Sequence, residues 1–179
     1  MNRSTLNIGT LLRAAATAAL LLCTQLAYSA IQERPDAEAR SLLTQAIANA
    51  QSFQDRFEAE VWLTDMATRL KPWDEIPAEE RVQILKTVHQ EATRADIPPE
   101  LVLSVIQVES NFDRFALSSA GARGLMQVMP FWLEELNRPS DDLFDIRTNI
   151  RFGCIILKHY MDRERGNHAR ALARYNGSS

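Results

Sequence analysis

Residues 98–112 read PPELVLSVIQVESNF. Two prolines open the stretch and apolar residues follow at helical spacing, so it predicts a helix that ends near Glu109. The apolar residues form two rows, Val102 with Ile106 in one and Leu101 with Val105 and Val108 in the other. Glu109 continues the first row, where desolvation and the negative end of the helix dipole both raise the pKa of a carboxyl group. The stretch therefore nominates Glu109 as a general acid, against the plainer alternative of a glutamate that faces water or caps a neighbour.

The composition is that of an ordinary globular protein. The chain has 179 residues, of which 46% are hydrophobic and 24% charged, with a net charge of -3. This length fits one domain with an extension. Basic residues form no stripe, and the negative net charge argues against a nucleic-acid partner.

The first thirty residues have the pattern of an export signal. Arg3 and Arg13 give a positively charged start, residues 14–22 are apolar, and residues 27–30 supply small side chains for cleavage. We expect a cleavable signal peptide over residues 1–30 and a periplasmic protein. Two alternatives stay open: an uncleaved anchor, whose apolar run is shorter than the roughly 20 residues that span a bilayer, and a lipoprotein attached through Cys23.

Neither the cysteines nor the histidines point to a cofactor. If Cys23 leaves with the signal, Cys154 is the remaining thiol, which excludes an intramolecular disulfide and suits a small buried hydrophobe. The histidines at positions 89, 159 and 168 lack zinc-ligand spacing, so we expect no metal and no cofactor. The tryptophans at positions 62, 73 and 132 are expected in the core, although Trp132 follows a glycine-rich loop.

Prolines divide the chain after the signal. Residues 31–76 have helical spacing without a catalytic motif and predict one or two accessory helices, and the proline-bracketed segment 71–77 marks a boundary. Residues 77–179 form the predicted main domain, with further helices at about 78–95, 131–136, 145–160 and 168–177. The fold class is all-α, with a small hairpin at residues 118–128 as the one β alternative. Gly153 inside a helix costs about 1 kcal/mol against alanine, which predicts that another helix approaches closely there.

The glycine-rich loop, residues 118–130, reads SSAGARGLMQVMP. Gly121 and Gly124 permit backbone conformations and close approaches that a side chain would block. Gln127 offers a donor and an acceptor, which suits the hydroxyl and acetamido groups of a sugar. A phosphate cradle is the alternative, but the loop lacks the sequence patterns of phosphate-binding loops.

Three separated motifs agree with one family: ESNF at 109–112, GARGLMQ at 121–127 and ALARYN at 171–176. In this order and spacing they resemble the soluble lytic transglycosylase catalytic domain of goose-type lysozyme fold, and residues 145–153, with Asn149 before Gly153, are similar to a further helix of that family. The resemblance covers about Ile84 to Asn176. It implies a lysozyme-like helical domain that cleaves the β-1,4 bond between N-acetylmuramic acid and N-acetylglucosamine in peptidoglycan and leaves a 1,6-anhydromuramoyl end.

The resemblance also implies roles for single residues. Glu109 would be the sole catalytic acid and base, and the residues that would line the sugar cleft are Ser110, Met126 and Gln127. Tyr175 would hydrogen-bond Glu109, and Asn176 would support that corner. Arg174 departs from the small residue usual before the Tyr-Asn pair. The chain also stops three residues after Asn176, where the family usually continues, so we expect either a fragment or a weakly buttressed Tyr175.

The leading hypothesis is thus a periplasmic lytic transglycosylase whose partner is the peptidoglycan glycan strand, with any envelope assembly partners unknown. A hydrolytic muramidase on the same fold is the first alternative. It would need a second carboxylate, for which Asp113, Asp141 and Asp145 are the candidates. A weakly active peptidoglycan-binding module is the second alternative.

Overall fold

The computed structural model describes residues 52–53 and 55–177, which all belong to one unit, Ala37–Ser179. The predicted signal peptide and about half of the predicted accessory segment, residues 31–51 and 54, lie outside the described residues. In the described part the helices are α1 (Arg56–Arg69), α2 (Ala78–Arg94), α3 (Pro99–Ser110), α4 (Phe131–Glu135), α5 (Ile146–Arg163) and α6 (His168–Tyr175). The predicted all-α class is confirmed, because this part of the chain contains helices and no strand.

The helices begin where the sequence provides caps. Asp55 caps α1 by accepting a hydrogen bond from the Glu58 N–H at 2.8 Å, and Asp145 caps α5 by accepting one from the Thr148 N–H at 2.9 Å. Helix α3 has proline in its first turn, where the missing N–H costs nothing. These local signals explain why the predicted helix starts agree with the structure to within a few residues.

Helices α2 and α5 form the centre of the core. Helix α5 packs against α2 and α6, and α2 also packs against α1 and α3. Between α2 and α5 the buried Glu91 accepts hydrogen bonds from Arg151 at 3.2 and 3.3 Å. Because a buried carboxylate is tolerated only with such partners, this ion pair aligns α5, and therefore the residues that α5 contributes to the site.

Two expectations about packing need correction. The Leu101, Val105 and Val108 row does not face the core as a whole, because Val108 is 79% exposed. Gly153 does permit a close approach, but the neighbour is a loop residue and not another helix: a Cβ there would lie 2.7 Å from the Cβ of Met126. The prediction for Cys154 is confirmed, since it is buried and burial raises the pKa of its thiol to about 12.

The loop at residues 118–128 is not a regular hairpin. Its pairing consists of isolated antiparallel bridges from Leu117 to Arg123 and from Arg123 to Val128. Among the described residues no helix has the length and apolar character required to cross a membrane.

Candidate active site

Glu109 lies in the last turn of α3 and is partly buried. The preceding residues of its row, Val102 and Ile106, are both completely buried, as the sequence predicts. Burial raises the pKa of Glu109 above its ordinary value, and desolvation is the cause of this rise. A second carboxylate close by would add like-charge repulsion as another cause. The carboxyl group is therefore sheltered and able to hold a proton at higher pH than a surface glutamate.

The chain leaves α3 through a strained exit. Asn111 and Phe112, the two residues after the helix, both have left-handed backbone angles, with φ of 50° and 66°. For residues other than glycine such angles cost on the order of 1 kcal/mol each. The side chain of Asn111 accepts a hydrogen bond from the Trp73 indole N–H at 2.8 Å, and the buried Phe112 ring meets the Trp73 ring edge-on at 4.9 Å. The exit is thus held by a residue from the segment before the predicted main domain.

On the other side of the site, Asn149 at the start of α5 holds the glycine-rich loop. Its side chain is buried and makes hydrogen bonds to three backbone groups: it accepts from the Met126 N–H at 2.7 Å and donates to Arg123 O and Leu143 O at 2.8 Å. Gly124 fits against this side chain with φ +73°, and a Cβ there would lie 2.5 Å from Leu143 O. The loop is therefore held through hydrogen bonds to its backbone. Glycine is required at Gly124 because any side chain there would clash with Asn149 and Leu143 and would have an unfavourable φ.

Tyr175 lies at the end of α6 and completes this side of the site. Its hydroxyl donates to the Met126 carbonyl at 2.7 Å. Burial raises the pKa of Tyr175 well above its ordinary value, and the charge of Glu109 raises it further, so the phenol lies close enough to interact with the candidate acid. Since the hydroxyl has one proton and gives it to Met126, Tyr175 does not donate to Glu109. The expectation that Tyr175 donates a hydrogen bond to Glu109 is therefore wrong, and the acceptor is Met126 O.

The two loop residues expected in the sugar cleft have different positions. Met126 is 0% exposed and packs in the core against Gly153, so the expectation that its side chain lines the cleft is wrong. The Met126 backbone still connects the elements of the site, because its N–H donates to Asn149 and its carbonyl accepts from Tyr175. Gln127 is partly exposed, and its side-chain N–H groups donate to Ala116 O at 3.1 Å and Gly124 O at 2.9 Å. Its place in the cleft stays a prediction.

Ser110 ends α3 and Asn176 follows α6. The Ser110 hydroxyl donates to Ile106 O at 3.1 Å, and Ser110 lines a cavity of about 840 Å³ with Trp73 and Arg114. Asn176 is exposed at the C-terminal end of α6. Their contacts with substrate stay predictions. Arg174, the departure from the family pattern, pairs with Glu164 and so ties α6 to the end of α5.

The three acids considered as a second carboxylate all have structural partners. Asp113 accepts a hydrogen bond from the Phe115 N–H at 2.8 Å. Asp141 forms an ion pair with Arg138 at 2.8 Å, and Asp145 caps α5. Each of these three carboxylates therefore has a structural contact of its own. Within the described part of the chain, the histidines, cysteines and acids form no group of three or more that could hold a metal ion.

A second and larger cavity, of about 890 Å³, lies between α1 and α3. Trp73 and Phe112 line both cavities, whereas Glu109 lines neither.

Comparison with known proteins decides the family. Residues 86–179 match the family model of the transglycosylase SLT domain, which is just over half of the chain. The chain belongs to the SLT transglycosylase family. The family assignment made from the three sequence motifs is confirmed. The SLT domain includes Glu109, the loop, α5 and α6, but the match begins within α2 and leaves out Trp62 and Trp73.

Similar proteins support the assignment. The chain is 32% identical over 98 residues to a transglycosylase of Enterobacteria phage PRD1, which is 55% of this chain and 36% of that protein. It is 48% identical over 48 residues to the membrane-bound lytic murein transglycosylase C of Actinobacillus pleuropneumoniae serotype 5b, which is 27% of this chain and 13% of that protein. It thus spans little more than a third of the first of these relatives and less of the second.

A solved structure supports the fold. The 70-kDa soluble lytic transglycosylase in complex with bulgecin A is 21% identical, with a TM-score of 0.50, and the alignment covers 83% of this chain and 24% of that one. The predicted lysozyme-like helical fold of the SLT domain is confirmed.

Sequence reasoning missed three residues that shape the site. Asn149 was noted for its spacing before Gly153, but its hydrogen bonds to the loop are visible only in the structure. Asn at position 111, directly after the last helical residue, is itself a signal for a left-handed helix end. Trp73 gave no such signal, because its partner Asn111 is 38 residues away in the chain.

Proposed function

We propose that this protein is a lytic transglycosylase that cleaves the MurNAc-β-1,4-GlcNAc bond of peptidoglycan and forms a 1,6-anhydromuramoyl end. The observation that carries the proposal is the environment of Glu109: burial raises its pKa, and in the described part of the chain no like charge contributes to that rise. A hydrolase of the usual kind uses two carboxylates, one on each side of the scissile bond. A lone acid suits a reaction in which the substrate supplies the nucleophile.

The proposed reaction begins with protonated Glu109. The carboxyl group donates its proton to the glycosidic oxygen as the bond from the muramoyl C1 to that oxygen breaks, and GlcNAc leaves with a free 4-hydroxyl group. The muramoyl C6 oxygen then bonds to C1, and the resulting Glu109 carboxylate accepts the C6 hydroxyl proton. No water is consumed, and Glu109 returns to its protonated form.

The environment of Glu109 suits both steps. Partial burial favours the protonated form of Glu109 at the start, because the charged form is desolvated. The same desolvation makes the carboxylate formed in the first step a stronger base for the second. Tyr175, engaged with Met126 O, provides a neutral neighbour on α6 and adds no charge that would stabilise the carboxylate.

The proposed location follows from the substrate. Peptidoglycan lies in the cell envelope, and the related transglycosylase C of A. pleuropneumoniae is named as membrane-bound. The export pattern of residues 1–30 supports release into the periplasm. Ser110, Gln127 and Asn176 are proposed to contact the glycan around Glu109.

Digestion of purified sacculi tests the proposal. We expect the wild-type protein to release muropeptides with anhydro ends, each lighter by one water than the reducing form, in mass spectra. Glu109→Gln should lower the release rate by about three orders of magnitude, the middle of the range for loss of a general acid and base. Asp113→Asn, which keeps an oxygen acceptor for the Phe115 N–H, is the matched control and should retain activity.

The other outcomes would contradict the proposal in distinct ways. Reducing muramic ends in the wild-type digest, together with loss of activity in Asp113→Asn, would identify a hydrolytic muramidase. Binding to sacculi without release by the wild-type protein would identify a binding module. Equal release by wild type and Glu109→Gln would remove Glu109 from the mechanism.

A further inference from the structure

Two tryptophans connect the segment before the SLT match to the helix that carries Glu109. The Trp62 indole N–H on α1 donates to a Glu100 carboxylate oxygen at the start of α3, at 2.6 Å. The Trp73 indole N–H donates to the Asn111 amide oxygen directly after α3, at 2.8 Å. The segment from α1 to Trp73 therefore runs along α3 and is attached near both ends, with the 890 Å³ cavity between them.

We propose that Trp73 is a positioning residue, which holds the strained exit of α3 and thereby keeps Glu109 in its sheltered place. The proposal rests on the proposed function of Glu109 as the catalytic acid. It adds a contribution from a residue that lies outside residues 86–179, the part of the chain that matches the SLT family.

Trp73 is itself well anchored. Its backbone carbonyl accepts a hydrogen bond from Arg81 on α2 at 2.9 Å, and its backbone N–H donates to Leu70 O at 3.1 Å. Its ring packs on Phe112, which is 3% exposed. Because its backbone is fixed to α2 and its indole bonds to Asn111, Trp73 supports two consecutive left-handed residues, of which Phe112 has no local preference for that conformation.

The exit matters to Glu109 because the two are adjacent. Glu109 is two residues before Asn111, and the Asn111 N–H donates to Gln107 O at 3.1 Å, which closes the last turn of the helix. Helix ends fray when such closing bonds are lost. A frayed last turn would move the Glu109 carboxyl group toward solvent and remove part of its desolvation.

The titratable groups around Glu109 determine whether its titration can report its exposure to water. Among the described residues, Tyr175 of α6 interacts with Glu109, and burial raises the pKa of Tyr175, which keeps the phenol neutral. Within α3 itself, the other acid, Glu100, lies at the opposite end of the helix. A change in how Glu109 titrates would therefore report its exposure to water.

The test compares Trp73→Phe with Trp62→Phe in the full chain. Each variant keeps an aromatic ring and removes one indole N–H donor to α3, but only Trp73 is next to Glu109. In the ¹³C titration of glutamate carboxyl groups, with Glu109 assigned by its loss in Glu109→Gln, we expect Glu109 to titrate about half a unit lower in Trp73→Phe and to be unchanged in Trp62→Phe. In the sacculus assay, kcat should fall about three- to tenfold in Trp73→Phe, the range for one lost hydrogen bond, with KM little changed.

Asn111→Gly provides the rescue. Glycine adopts the left-handed conformation without strain, so the exit should no longer need Trp73, and adding Trp73→Phe to Asn111→Gly should not move the Glu109 titration further. Asn111→Ala keeps the strain and removes the acceptor, and should reproduce the shift seen in Trp73→Phe. It also tests the proposal if Trp73→Phe does not fold.

Three results would overturn the proposal: an unchanged Glu109 titration in both Trp73→Phe and Asn111→Ala, equal shifts in Trp62→Phe and Trp73→Phe, or a shift by Trp73→Phe that persists in the Asn111→Gly background. The carboxyl titration does not depend on turnover. If the wild-type protein releases no anhydro ends while the titration shifts as expected, the proposed function fails and the positioning role stands.

Discussion

The two sides of Glu109 are built in different ways. On one side, Asn149 and Tyr175 hold the glycine-rich loop through hydrogen bonds to its backbone, and the central residue of that contact, Met126, is fully buried. On the other side, Trp62 and Trp73 contact α3 through exposed hydrogen bonds between side chains. The first side lies within the SLT match and the second lies outside it.

The two sides therefore differ in how strongly their hydrogen bonds fix the conformation of the site. Bonds to a buried backbone fix a loop in one conformation, since breaking any of them leaves a polar group without water or partner. Bonds between exposed side chains can be replaced by water at little cost. The loop side therefore defines the site, whereas the tryptophan side adjusts the helix that carries the acid.

The largest expected effect comes from Asn149→Ala on the loop side. The substitution leaves the Met126 N–H, Arg123 O and Leu143 O unpaired in the core, which should lower the free energy of unfolding by about 3–5 kcal/mol. Trp62→Phe, the counterpart on the other side, removes one exposed hydrogen bond and should cost about 1 kcal/mol or less. Urea denaturation followed by circular dichroism measures both. Equal costs would break the distinction between the two sides.

A smaller effect is expected within the loop, where two glycines can be compared. Both have positive φ, but a Cβ at Gly124 would lie 2.9 Å from the Asn149 Cγ, whereas one at Gly121 would meet nothing within 4 Å. Gly124→Ala combines backbone strain with overpacking and should cost about 3 kcal/mol, while Gly121→Ala should cost about 1–2 kcal/mol from strain alone. The same denaturation assay separates them. A cost for Gly121→Ala as large as that for Gly124→Ala would show that strain dominates and that the Asn149 contact adds little.

The two sides also differ in how far the sequence predicts them. Glu109 was predictable because local periodicity places it on a buried row of a helix that begins at a proline. Met126 and Gln127 were both assigned to the cleft from one motif, but adjacent loop residues face different surroundings, so Met126 is in the core and Gln127 is partly exposed. Trp73 could not be assigned, because its role depends on a contact across 38 residues that no local pattern encodes.

The smallest expected effect concerns Glu109 itself, where the two sides meet. Because burial raises its pKa in the folded state, folding favours the protonated form of Glu109. The stability linked to this group is complete below the pKa of the unfolded chain and is lost as pH rises through the folded pKa. Glu109→Gln stays neutral at all pH values, so its stability should match wild type in acid and exceed it above the folded pKa.

Urea midpoints measured from acid to neutral pH test this, with Glu60→Gln on the exposed surface of α1 as the control. The control should show no such gain, because its carboxylate is solvated in both states. A loss of stability in Glu109→Gln that grows as pH rises and Glu109 ionises would mean that the carboxylate is stabilised by the fold, and it would contradict a sheltered acid. Adding Trp73→Phe refines the comparison: if the tryptophan side controls the exposure of Glu109, the gain from Glu109→Gln should shrink in that background, because less desolvation remains to be relieved.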